Sequence, residues 1–204
     1  MAKFRRRNPH CENCDLCEDA TTVYVPPRGS KNPDLLVVSG HIGETEDEEG
    51  RCLTGRSEEI LEELLEQSGV DLDKVAYTSS VKCIAWTEKG VGRPSKKQIS
   101  DCYEHLVKEI RHYDPKAILT LGGEASQSIL QKSVLKHVRG QKFDVPVGKL
   151  RKVRSKKTGK VRKKFKKIPV VPTHHPIAML TSNKRAASAQ ADFLSDASFA
   201  RSIY

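Results

Sequence analysis

The sequence predicts an α/β fold of three layers, α/β/α, around a central four-stranded, largely parallel sheet. Two observations carry this. Short apolar runs at 35–38, 75–81, 117–121 and 168–171 alternate with segments of helical periodicity, the pattern of successive β-α-β units. The runs are bounded by Gly, Pro or a charge, and the first, third and fourth are apolar nearly throughout, as strands covered on both faces must be. In such sheets the ligand crevice lies beyond the carboxyl ends of the strands. Two strand ends, Ser-Gly-His-Ile-Gly at 39–43 and Thr-His-His-Pro at 173–176, should therefore converge on one crevice.

The 204 residues suffice for one domain, 1–204, carrying a basic insertion at about 149–167. No apolar stretch approaches the 18 residues of a membrane span. The N-terminal MAKFRRRNPH lacks the apolar core of a secretory signal. A cytoplasmic, reducing setting is expected, in which six cysteines argue for metal ligation or free thiols over disulfides. A monomer is expected. The net charge of +10 is unevenly placed: residues 149–167 hold 12 of the 36 Lys and Arg and no acid. Such a grafted block fits a polyanion-binding arm, or a solvated loop with no ligand.

Along the chain, cysteines at 11, 14 and 17 come first, with two-residue spacers that let neighbouring thiolates turn onto one metal centre. A short strand is expected at 22–24 and a loop at 26–29. The central strand, 34–39, leads into Gly40 and Gly43, which allow close backbone approach to a ligand. Alone, this stretch also fits an ordinary strand-to-helix loop. An acidic loop follows, and Ser57 with Glu58 and Glu59 behind it should start a helix ending at Gly69. A second strand, 75–81, runs into Lys82-Cys83, and 84–94 forms a loop. Ser95 and Gln98 make a capping box. The helix they open puts Ile99, Cys102, Tyr103, Leu106 and Ile110 on one face. The third strand is followed by Gly122-Gly123 and a helix at about 124–132, a weak phosphate-site signal. A further strand should follow Arg139-Gly140. The basic block reads as a hairpin around Ser-Lys-Lys-Thr-Gly-Lys, whose opposed like charges should order best against phosphates. Residues 186–202 should form a helix anchored by Phe193, Leu194 and Phe199.

Four features stand in one order: C-x-x-C-x-L from Cys11, the Gly-rich loop ending in E-D-x-x-G-R, Val-Lys-Cys after the second strand, and His175-Pro176 after the last. With Cys102 and Arg139-Gly140 between them, the chain resembles the family 4 uracil-DNA glycosylases over about residues 11–180. The resemblance implies removal of uracil from DNA and a 4Fe–4S cluster held by Cys11, Cys14, Cys83 and Cys102, with Cys17 and Cys52 left over. The same four thiolates in tetrahedral geometry would alternatively hold zinc. Departures from the family pattern are specific. Its usual G-E-x-P-G reads Gly40 where the acid stands and His41 next to it. Its stacking Phe is Leu53, and the Asn that reads the uracil edge falls at Ser79.

The resemblance implies base flipping and cleavage of the N-glycosidic bond. His175 would donate a hydrogen bond to the developing charge on the base. His41, or a carboxylate of Glu44 or Asp47, would position water. Leu53 and Ile42 would sandwich the base, with Gly40, Gly43 and Ser79 around it. Arg139 and the arm residues Lys152, Arg154, Lys156, Lys157, Lys160 and Arg162 would contact DNA phosphates without reading sequence. A replication or repair protein is a second partner for the arm. Two other functions fit the residues: a catalytically weakened DNA-binding or polymerase-associated module, and a zinc-dependent nucleic-acid-binding protein.

Overall fold

The computed structural model describes residues 11–131, 135–154, 161–180 and 184–204, with Arg154 described in its main chain alone. The elements run α1 (Leu16–Asp19), β1 (Arg28–Gly29), β2 (Leu35–Ser39), α2 (Glu44–Glu49), α3 (Arg56–Gln67), β3 (Val75–Ser79) and a small hairpin of β4 (Trp86–Thr87) and β5 (Gly90–Val91). Then come α4 (Lys96–Tyr113), β6 (Ala117–Leu121), α5 (Gly122–Leu130), α6 (Leu135–Val138), β7 (Phe143–Val145), β8 (Leu150–Arg154), β9 (Val161–Phe165), β10 (Ile168–Thr173) and α7 (Lys184–Arg201).

The sheet order is β1-β3-β2-β6-β10-β7. The four expected strands form its parallel centre, β3-β2-β6-β10. Two short antiparallel strands, β1 and β7, extend it to six. All five residues of β2 are buried, because successive side chains enter two different cores. Leu35 and Val37 pack with Leu61, Leu64 and Leu65 of α3 and Phe193 and Ala197 of α7. Leu36 and Val38 pack on the other face with Leu106 and Ile110 of α4 and Ala125 and Ile129 of α5. The three-layer α/β/α architecture follows.

Local chemistry explains several differences from the expected elements. The acidic stretch 44–49 is a helix, not a loop: its carboxylates lie at the N-terminal end, where the dipole favours them. Gly55, not Ser57, caps α3, in a conformation (φ 71°, ψ −153°) that suits glycine alone. Residues 22–24 form no strand. The backbone N–H groups of Thr21 and Thr22 donate instead to the Asp47 carboxylate, each at 3.0 Å. Phe199 is exposed rather than an anchor. The capping box of α4 forms as expected, Ser95 and Gln98 bonding each other's backbone.

The basic block is an antiparallel hairpin, β8 paired with β9 from Leu150↔Phe165 to Arg154↔Val161. Its root joins the chain just before β10, at the amino end of that strand, whereas His174 and His175 follow its carboxyl end.

Candidate active site and cysteine cluster

A cavity of about 510 Å³ opens at the carboxyl ends of β2, β6 and β10. The loop from 40 to 55 forms one wall and is held by Glu46. This carboxylate accepts from Gly43 N at 2.6 Å and from Leu53 N at 2.7 Å. Burial raises its pKa, against the lowering effect of those two bonds and of His41. Arg28 fixes the same loop from behind, donating to the carbonyls of Cys52 at 2.6 Å and Leu53 at 2.7 Å. Leu53 is thereby held at φ 50°, a left-handed conformation that costs about 1 kcal/mol; the residue borders the cavity while its side chain is buried in the core.

His41 and Glu124 face each other across the start of α5, His41 Nδ1 donating to Glu124 Oε2 at 2.5 Å. Burial would raise the Glu124 pKa, but the His41 hydrogen bond and charge, with Arg93, outweigh it and hold the carboxyl below its usual value. It is therefore an ionised acceptor, bound to Nδ1 of the His41 ring. Gly40 makes this possible. A Cβ there would stand 2.6 Å from Glu124 Oε2 and 3.1 Å from its Cβ. The space of the acid missing from the loop motif is thus filled by an acid from another element. Glu124 was not singled out in the sequence; the available signal was a carboxylate in the first turn after a strand and two glycines.

His175 lines the same cavity. Burial, and secondarily His41, lower its pKa to about 4, with Glu124 opposing. Its Nδ1 accepts from Ile177 N at 3.3 Å. The neutral ring then carries its proton on Nε2, so the side chain is a neutral hydrogen-bond donor.

The other expected site residues separate into two sets. Gly40, Gly43, Glu44 and Leu53 line the cavity with the two histidines. Ile42 does not: it is fully buried in the core and bridges to Ile84. Asp47 is also outside the cavity, buried and bonded to the backbone of Thr21 and Thr22, which removes it as a positioner of water. Ser79 is fully buried beyond the lining, its Oγ without a hydrogen-bond partner among the described residues. Arg139 pairs with Asp196 at 3.0 Å and Asp192 at 3.2 Å, so its charge is already matched. It shares a neighbouring cleft with Lys136, His174, Lys184 and Arg185. Lys156, Lys157 and Lys160 lie outside the described residues.

Behind β3, Cys11, Cys83 and Cys102 are buried and Cys14 is half-buried, none in a disulfide. Their sulfurs lie close enough to act on one another electrostatically. Burial pushes the Cys83 thiol up to about 12, a backbone bond from Tyr24 opposes this, and Cys102, Cys11 and Cys14 add to it. Cys102 is raised to about 11, again mainly by burial. Cys17 turns away, its Sγ donating to the Cys14 carbonyl at 3.1 Å. Cys52 sits in the other core. Among the described residues, no three His, Cys, Asp or Glu side chains are close enough to hold a metal ion.

Lys82, between Ser79 and Cys83, is itself buried. Its Nζ donates to Glu109 at 2.6 Å, to Thr78 Oγ1 at 2.6 Å and to the Ser79 carbonyl at 2.7 Å. Tyr24 O–H donates to the other Glu109 oxygen at 2.8 Å. This network ties the N-terminal segment, the end of β3 and α4 together. It too escaped the sequence, where Lys82 stood only within Val-Lys-Cys and Glu109 was not singled out.

Fold and cavity define a class: a three-layer α/β protein with a cavity at the carboxyl end of a parallel sheet, lined by two histidines. The family model of the uracil DNA glycosylase superfamily matches residues 26–197, and the chain belongs to that superfamily. It is similar to the type-4 uracil-DNA glycosylase of Sulfurisphaera tokodaii, 29% identical over 194 residues, covering 95% of this chain and 81% of that protein. The corresponding enzyme of Archaeoglobus fulgidus is 26% identical, covering 90% and 84%. That of Thermotoga maritima is 28% identical, covering 88% and 83%.

Proposed function

We propose that this protein is a DNA-repair glycosylase of the type-4 kind that removes uracil from DNA. The observation that carries the reading is the pairing, in one cavity, of a neutral donor, His175, with a carboxylate-oriented base, His41–Glu124.

A base flipped out of the stack enters the cavity against Leu53. The C1′–N1 bond breaks with both electrons leaving on the base, giving an oxocarbenium-like sugar and a uracil anion. His175 Nε2–H donates to a carbonyl oxygen of the base, where the negative charge develops. Being neutral already, His175 holds this role without giving up its proton. Water then attacks C1′. His41 Nε2 accepts its proton, while Glu124 fixes the ring through Nδ1 and stabilises the imidazolium that forms. Together the two carry out the work that the resemblance assigned to an acid at position 40. Arg93 at the cavity, and Lys136, Lys184 and Arg185 in the neighbouring cleft, hold the phosphates of the strand being read.

Cys11, Cys14, Cys83 and Cys102 suit a 4Fe–4S cluster by residue type, and a cluster of four irons takes its thiolates farther apart than a single metal ion does. Burial raises the Cys14, Cys83 and Cys102 thiols, with smaller contributions from the neighbouring cysteines, a cost that ligation to iron would remove. A cluster held there would tie the N-terminal segment to the end of β3 and to α4, leaving the chemistry to protein side chains. Free thiols and a DNA substrate suit an intracellular protein.

The test is uracil release from labelled single- and double-stranded oligonucleotides, with His175→Ala beside the unaltered protein. Release that falls at least 100-fold in the variant, with DNA binding retained, is the expected outcome. No release by the unaltered protein, together with tight salt-dependent binding, would replace this reading by a non-catalytic DNA-binding module.

A further inference from the structure

The hairpin of β8 and β9 and the cavity occupy opposite ends of the sheet. Its root is fastened at the amino end of β10 and the carboxyl end of α4. There Lys166, Arg151 and Lys149 surround Asp114 at 2.8, 3.5 and 3.8 Å, and Arg111 stacks over Phe165 at 4.4 Å. The six residues of β10, rising about 3.3 Å each, put roughly 20 Å of sheet between that root and His175. Every described residue of the two strands that has a burial class is exposed.

Two of the five cross-strand pairs set like charges opposite each other, Arg151 with Lys164 and Lys152 with Lys163, while Leu150, Val153, Val161 and Phe165 occupy the other three pairs. Like charges so placed repel. Among the described residues, the ion pairs of the hairpin all run from its root to Asp114. Lys152, Arg162, Lys163 and Lys164 are left facing solvent on both broad faces.

We infer that this hairpin is a second DNA-binding site, which grips the phosphate backbone of a segment other than the one whose base enters the cavity. The inference rests on DNA being the substrate of that cavity. A two-stranded ribbon fits the major groove, where phosphates flank it on both sides. Cations on both faces match that setting, whereas a protein partner would be met on one face. Nine of the twelve cations in 149–167 are lysines, and the block holds one aromatic residue, Phe165, which is engaged at the root. Protein interfaces are enriched in aromatic anchors and depleted in lysine. Two sites about 20 Å apart on one rigid body raise each other's effective DNA concentration. The hairpin thus keeps the protein on DNA while the cavity releases one position and samples the next.

The test uses the full chain with Lys152, Arg162, Lys163 and Lys164 all changed to Ser, and a control in which the three lysines become Arg. Bridging is read as capture of a labelled uracil-free duplex by protein already held on bead-bound uracil-free DNA. Uracil release is read separately, on a single-stranded oligonucleotide too short to span both sites. The Ser variant should lose bridging at least tenfold and release uracil within twofold of normal. Its salt slope for duplex binding should fall by about 3 to 4, at about 0.9 per lost phosphate contact. The Arg control should bridge normally. Undiminished bridging by the Ser variant would overturn the inference, as would absence of bridging in the unaltered protein. So would loss of uracil release in step with binding, which would put the hairpin on the cavity's own DNA path. Preference of the hairpin for poly-glutamate over DNA would overturn it in favour of an acidic protein partner. Failure of uracil release in the unaltered protein, with bridging intact, would sink the glycosylase reading and leave the hairpin standing.

Discussion

Glu124→Gln isolates the contribution of the histidine–carboxylate pair. The amide keeps the size of the side chain and can still accept from His41 Nδ1, but it lacks the charge that stabilises an imidazolium. A charge-assisted hydrogen bond contributes about 1.5–3 kcal/mol, roughly twice a neutral one. With the two side chains 27% and 22% exposed, solvent screening favours the lower end. A loss of about 1–1.5 kcal/mol from the transition state is a roughly 5- to 13-fold slower reaction. Single-turnover release of uracil, at protein in excess over DNA, reads that step free of product dissociation. DNA affinity should not change. Gly40→Ala provides an independent perturbation that alters neither ionisable group. Its Cβ would meet Glu124 Oε2 at 2.6 Å, displacing the carboxylate and slowing release to a similar extent. If both variants released uracil within twofold of the normal rate, His41 would not be the base oriented by Glu124.

Three further outcomes are expected. Lys82→Met leaves Glu109 charged and fully buried, which should cost about 3–5 kcal/mol in urea unfolding, whereas Lys82→Met with Glu109→Leu should recover most of it; equal stabilities would refute the pair's role. His175 has a folded pKa of about 4 against an ordinary 6.5, so stability is full above pH 6.5. As pH falls toward 4 the unfolded chain takes up a proton that the folded one refuses, a loss of no more than about 3 kcal/mol. His175→Gln should flatten that part of the urea-unfolding pH profile, and an unaltered slope would count against a neutral His175. Cys83→Ser should abolish the broad visible absorbance of an iron–sulfur cluster and expose the segment around Cys11 to protease; a persisting band would remove Cys83 from the ligand set.

The parallel centre of the sheet was legible because a strand covered on both faces must be apolar almost throughout, and 35–38, 117–121 and 168–171 are. Capping chemistry is equally local, so Ser95 and Gln98 revealed the start of α4. The order of Cys11, Cys14, Cys83, Cys102 and His175 pointed to the superfamily because it records chemistry that the chain repeats in one sequence order. What lay beyond reach depends on which side chains meet across long sequence separations. Ile42 and Leu53 look alike in sequence and both are buried in one core, yet only Leu53 also borders the cavity, where Glu46 and Arg28 hold it in a left-handed turn. Asp47 reads as a loop carboxylate until Thr21 and Thr22 are found donating to it. Lys82 gives no sign that it is buried with Glu109, 27 residues away. Gly40 reads as a lost acid until α5 brings Glu124 into the space a side chain there would fill. Local rules of burial, capping and charge thus determined the fold class, the elements and the basic block. Tertiary packing alone decided which histidine meets which carboxylate, and at which end of the sheet the hairpin stands.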